Sequence, residues 1–231
     1  MKTINDYILE KLHLSNVIRY KYYPKSRDEL KQIVKDLIAE RGPDADLNDI
    51  NVSEITNMDE LFAQPVMPKI RKINISAWNV SNVKSMRRMF YLCKDLDIDI
   101  SGWETSKLED TSYMFYGCKK FNCDLSKWNM SSVVLTKFMF FDCVKFNCDL
   151  SNWNVSKVKL MESMFCGCTS FNCDLSNWDV SKCLYFSDMF RNNTKLRYKF
   201  SKWKLNPKAD YDDMFAGCND SIIPDWYDID V

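Results

Sequence analysis

The chain has 231 residues, with 32 Lys and Arg balancing 32 Asp and Glu, an apolar share of 46%, and 14 Phe, 11 Tyr and 7 Trp. That composition excludes a disordered tail, and zero formal charge argues against whole-molecule attraction to nucleic acid or an anionic membrane. With five glycines and one histidine, His13, neither a Gly-rich phosphate loop nor histidine-based catalysis or zinc ligation is expected.

From the amino terminus, Met1 to Leu14 interrupts every apolar run with charge, so no export signal is expected. No stretch reaches the roughly 18 apolar residues needed to span a bilayer. Ten cysteines in that setting predict free thiols in a reducing compartment. The expected location is the cytoplasm, or a host's cytoplasm if the chain is encoded by a phage or virus. Ser26-Arg27-Asp28-Glu29 then reads as a capping box, and Leu30, Ile33, Val34, Leu37 and Ile38 form one apolar stripe ended by Gly42-Pro43. Residues 1–48 are therefore expected to form a helical cap on a repeat domain over 49–231.

The repeat is 25 residues long. Trp78, Trp103, Trp128, Trp153, Trp178 and Trp203 mark it, as do Met-Phe pairs ending at Phe90, Phe115, Phe140, Phe165, Phe190 and Phe215. An earlier degenerate copy aligns Ile50 and Phe62 with these positions, and a truncated one begins at Ile223-Pro224-Asp225-Trp226. Within a copy, Phe121, Cys123 and Leu125 alternate as a strand would. Later in the copy the spacing of Val83, Met86, Met89/Phe90 and Cys93 is helical. Gly117, Asp142, Gly167, Asn192 and Gly217 recur where such a helix would stop in a left-handed residue, with Leu92 departing. The predicted fold class is therefore α/β: a leucine-rich-repeat-like solenoid of about seven coils, each with short parallel strands and a short helix.

The run F-N-C-D-L-S-N-W-D-V-S-K at 171–182, followed by M-F in the same copy and by G-C in three of the six full copies, resembles the 25-residue repeat of BspA-like leucine-rich-repeat proteins. That repeat also occurs in Mycoplasma-type surface lipoproteins and in phage and large-virus proteins. The resemblance spans about residues 49–226. It implies a non-enzymatic solenoid, with members often acting as surface adhesins or host-binding proteins.

Other constellations have plainer readings. Cys93, Cys118, Cys143, Cys168 and Cys218 share one repeat position, and Cys123, Cys148 and Cys173 another, which suits core packing better than a metal site. Asp99, Asp124, Asp149 and Asp174 form a column suited to capping local backbone, with a calcium edge as the alternative. The tryptophan and Met-Phe columns read as core, so partner specificity is expected at the positions that vary.

Charge is the asymmetry there. Residues 69–94 carry Lys69, Arg71, Lys72, Lys84, Arg87, Arg88 and Lys94 with no acid, while 210–231 carries seven aspartates, among them Asp210, Asp212 and Asp213, with no base. The expected function is protein binding without catalysis, by occupying a partner's surface through these charged stretches, with inhibition of a host factor as one form of it. The alternative is an exported adhesin. No cofactor, metal, membrane or nucleic-acid partner is expected, and self-association through the opposed charges is an open alternative.

Overall fold

The computed structural model describes residues 20–227. Met1 to Leu14, His13 and the last acidic residues, Asp228 and Asp230, lie outside the described residues. The one α-helix described, α1 (Arg27–Arg41), begins where the sequence places it: the Ser26 side chain accepts from the Glu29 N–H. The reciprocal bond falls one residue early, because Glu29 Oε2 accepts from the Lys25 N–H at 2.7 Å. Gly42, at φ 86°, donates its N–H to Ile38 O and ends the helix. Leu30, Val34, Leu37 and Ile38 are buried, and Ile33 packs at the margin of the same core.

Beyond α1 the structure overturns the α/β leucine-rich-repeat-like solenoid. Among the described residues there are no extended strands and no helix in any repeat; one 3-10 turn, Asp220–Ile222, completes the regular structure. The repeats are instead coils made of successive tight turns, joined by isolated parallel bridges that run through Asn57, Ser85, Asp110, Leu135, Leu160, Tyr185 and Asp210.

The turn stretch shows why no helix forms. In the coil around Phe140, the Met139, Phe141 and Cys143 N–H groups donate to the carbonyls three residues back, Thr136, Phe138 and Phe140. The intervening Thr136, Phe138, Phe140 and Asp142 N–H groups donate to Leu160, Glu162, Met164 and Cys166 of the next coil, at 2.8–3.1 Å. Phe138 and Asp142 carry positive φ (58° and 56°), which an α-helix excludes. The same pair recurs as Arg88/Leu92, Tyr113/Gly117, Ser163/Gly167, Asp188/Asn192 and Asp213/Gly217. The three-to-four spacing of apolar residues therefore comes from consecutive three-residue turns. Leu92 adopts the left-handed conformation like its glycine, Asn and Asp counterparts.

The alternating stretch also fails to make a strand, for a different reason. Its side chains do alternate inward and outward, but side chains take over the cross-coil bonds that a sheet would supply. Leu125 N–H donates to Cys148 Sγ, and Asn147 N–H to Asn122 Oδ1. Trp153 Nε1 reaches the Leu125 carbonyl at 2.9 Å, and Trp103, Trp128, Trp178 and Trp203 do likewise one coil apart. The Trp and Met-Phe columns are buried, and Phe90, Phe115, Phe140, Phe165, Phe190 and Phe215 stack at 5.6–5.8 Å. One core runs from Leu30 of α1 to Ile222.

One rung breaks the pattern. Cys118, Cys143, Cys168 and Cys218 donate Sγ–H to the phenylalanine carbonyls of the preceding coil at 2.9–3.0 Å. Asn193 holds that position in the fifth Trp-marked copy, fully buried, with neither amide atom bonded. An unsatisfied buried polar group costs about 1–3 kcal/mol. Asn193→Cys should therefore raise unfolding stability by about 1 kcal/mol or more. Trp153→Ala should lower it by about 3–5 kcal/mol. Urea unfolding of both variants checks this; an unchanged midpoint for either contradicts the packing described.

Candidate interaction surface

The nine charged residues singled out by sequence lie in three places. Lys69, Arg71 and Lys72 sit at one corner of the coil, stacked on residues 95–97. Lys69 pairs with Asp95 at 3.2 Å, Arg71 with Asp44, and Lys72 with Asp97 at 3.9 Å. Lys84, Arg87 and Arg88 lie on the turn stretch. There Lys84 meets Glu109 at 3.5 Å, Arg87 meets Asp59 and Glu60 at 3.8 and 3.7 Å, and Arg88 meets Glu60 at 3.6 Å. The stretch that has no acid in sequence is thus matched by acids from neighbouring coils. At the other end, Asp210 accepts from the Ser187 hydroxyl and Asp213 pairs with Arg191 at 3.0 Å, whereas Asp212 is exposed without an ion pair among the described residues. Exposed pairs of this kind contribute about 0–1 kcal/mol each.

The turn stretch bears a feature that charge counting passes over. Tyr91, Tyr116 and Phe141 form an outer row, stacked at 5.0 and 4.6 Å, and Tyr113 stacks on Phe138 at 4.8 Å beside it. All five are half-buried and lie outside the phenylalanine core. Their spacing matches the roughly 4.8 Å separation of hydrogen-bonded chains, so each ring covers its neighbour's face and the edges are left to solvent. Arg88 lies over Tyr91 and Tyr113, 5.5 and 5.1 Å from their centroids, and Lys137 lies 6.0 Å from Tyr113. Burial, chiefly, raises the Tyr116 hydroxyl above its usual range, which keeps it neutral. Toward the carboxyl terminus the apolar strip shifts along the coil to half-buried Leu135 and Leu160 and to Tyr185, which is 43% exposed.

The rows were legible only as variation. Tyr91, Tyr116 and Phe141 directly follow the repeated core phenylalanine, at a position held by Cys166, Arg191 and Ala216 in later coils. A position that accepts Tyr, Phe, Cys, Arg and Ala lies outside the main core, and its aromatic occupants are then half-buried apolar surface.

A family model described as "Mycoplasma protein of unknown function, DUF285" matches residues 29–143 and again 123–226. The chain belongs to this family. The two overlapping matches cover α1 and the stacked coils alike, and the family's description assigns no function. No curated protein and no solved structure matches. No helix among the described residues is long and apolar enough to cross a membrane.

The columns of polar residues in this DUF285 chain have clear local roles. Asp99, Asp124, Asp149 and Asp174 each accept the N–H two residues on, from Ser101, Ser126, Ser151 and Ser176, at 2.9–3.0 Å. Hydrogen bonds from those serines, chiefly, hold all four carboxyls below their ordinary range. All ten cysteines are free thiols. Burial, chiefly, pushes Cys93, Cys173 and Cys183 up to about 12 and Cys148, Cys166 and Cys218 up to about 11.

Both sets link pH to stability. Carboxyls depressed by folding stabilise above their unfolded value, about 3.9, and that contribution is lost as pH falls. Thiols raised by folding stabilise below their unfolded value, about 8.5, and that contribution is lost as pH climbs toward their folded values. Denaturant unfolding should therefore show a plateau between about pH 5 and 8, with stability falling on both sides. Stability unchanged to about pH 10 would contradict the burial of the thiol columns.

Proposed function

We propose that this protein is a non-enzymatic binding protein that acts by occupying a partner protein's surface, and that the turn face is the surface it uses. The observation that supports the reading is the pair of aromatic rows outside the core. Aromatic side chains and arginine are the residue types that anchor protein interfaces, and here both stand on rigid, coil-to-coil bonded backbone. Arg88 belongs to this face and to the charged stretch read from sequence. Rim charges such as Lys84 and Arg87 would then act mainly on the rate and orientation of encounter. Most of the binding energy would come from Tyr113, Tyr116, Phe138 and Phe141.

A photo-crosslinking amino acid placed at Phe138, with Asn154 on another corner as control, tests this in the source cell. The expected result is one saturable adduct from position 138, absent from position 154. Tyr116→Ser and Phe141→Ser should each weaken that association at least about tenfold while leaving cooperative unfolding in place. Association unchanged in both variants would remove the turn face as the binding surface.

A further inference from the structure

A polar groove runs along the strand-like stretch of the coils and shares no lining residue with the turn face. Its larger part is an open hollow of about 410 Å³ lined by Asn147, Asp149, Asn172, Asp174, Asn177 and Tyr198, with the Cys148 and Cys173 thiols at its floor. A second part of about 370 Å³ continues it by one coil, to Asn122 and Asp124. This is the size range of small-molecule sites.

The repeat builds the walls. Asn122, Asn147 and Asn172 spend their Oδ1 atoms on the N–H groups of Asn147, Asn172 and Arg197. Holding the acceptor in this way fixes the flip of each amide, so that its Nδ2 donors are the free end. Among the described residues, those Nδ2 groups make no hydrogen bond within the protein, and Asn177 makes none with either amide atom. Across from them, Asp149 and Asp174 have Oδ1 tied to backbone N–H, and no backbone donor reaches the second oxygen. Each coil therefore presents one fixed amide donor and one fixed carboxylate acceptor. The column of small groove residues, Cys123, Cys148 and Cys173, ends at Tyr198, whose larger ring is 37% exposed and lines one end of the groove.

We propose that this groove binds a neutral carbohydrate. Vicinal hydroxyls donate and accept together, so they satisfy an amide donor and a carboxylate acceptor at once. A sugar's C–H face suits an exposed aromatic ring such as Tyr198. A simple cation would use the carboxylates and leave the amide donors unmatched. The thiols add a small apolar surface beneath the ring of the sugar, and their S–H groups are already directed to Asp124 and Asp149.

The test is titration of the ¹⁵N-labelled protein with glucose, galactose, mannose, N-acetylglucosamine and their linear trisaccharides, to about 50 mM, enough to detect weak millimolar binding. Spermidine is the cationic control. At least one saccharide should move the Asn147, Asn172 and Asn177 side-chain amide signals saturably. Tyr198→Ala and Asp174→Asn should each weaken it at least about tenfold, and Asp174→Asn keeps the side-chain acceptor of the local turn. No saturable shift with any saccharide overturns the proposal. Shifts with spermidine alone, suppressed by salt, also overturn it and give the groove to cations. Neither outcome bears on the turn face, whose aromatic rows lie elsewhere on the coil.

Discussion

The structure depends on one division of labour among backbone N–H groups. Along each turn stretch, alternate amides close a three-residue turn within the coil and the others donate to the next coil. Phe140 to Met164 and Phe115 to Met139, both at 2.9 Å, are two such rungs. A buried coil of tight turns would otherwise strand half of its amides away from water, at about 1–3 kcal/mol each. Left-handed residues at two positions per coil make the division geometrically available. Where the residue is Leu92, Tyr113 or Phe138, the ladder holds a conformation that the side chain alone disfavours.

Side chains complete what the backbone leaves open on the other half of each coil. The indole N–H and the thiol S–H serve as cross-coil donors to carbonyls, and asparagine and cysteine serve as acceptors for N–H groups. This explains why polar-capable residues recur in columns that are otherwise apolar. It also divides the surface by role. The turn face carries aromatic side chains that take no part in the backbone bonding, whereas the groove side carries donors and acceptors that the repeat itself aligns. Family membership fits such a scaffold and adds no chemistry to it.

Much of this was legible in the sequence, and the parts that were not have a common cause. The 25-residue period, the burial of the Trp and Met-Phe columns, the capping of α1 at Ser26 and the Asx-type role of Asp124 all come directly from residue type and spacing. The secondary structure did not, because apolar spacing reports which side chains face inward and says nothing of where the N–H groups go. Turns of three residues imitate a helical period, and a side-chain-bonded coil imitates strand alternation. The ion pairs of the charged stretch were hidden in a similar way. Lys84, Arg87 and Arg88 are far from any acid along the chain, yet stacking brings Glu109, Asp59 and Glu60 beside them.

The alternating ladder is tested most directly by scalar coupling across hydrogen bonds in a long-range HNCO experiment on the folded protein. The ladder predicts a cross-peak from the Phe115 amide to the carbonyl of Met139, 24 residues ahead, and one from Met114 to Thr111, three residues behind. A helix in the repeat would instead join the Phe115 amide to the Thr111 carbonyl, four residues back. That cross-peak, with the one to Met139 missing, would contradict the ladder.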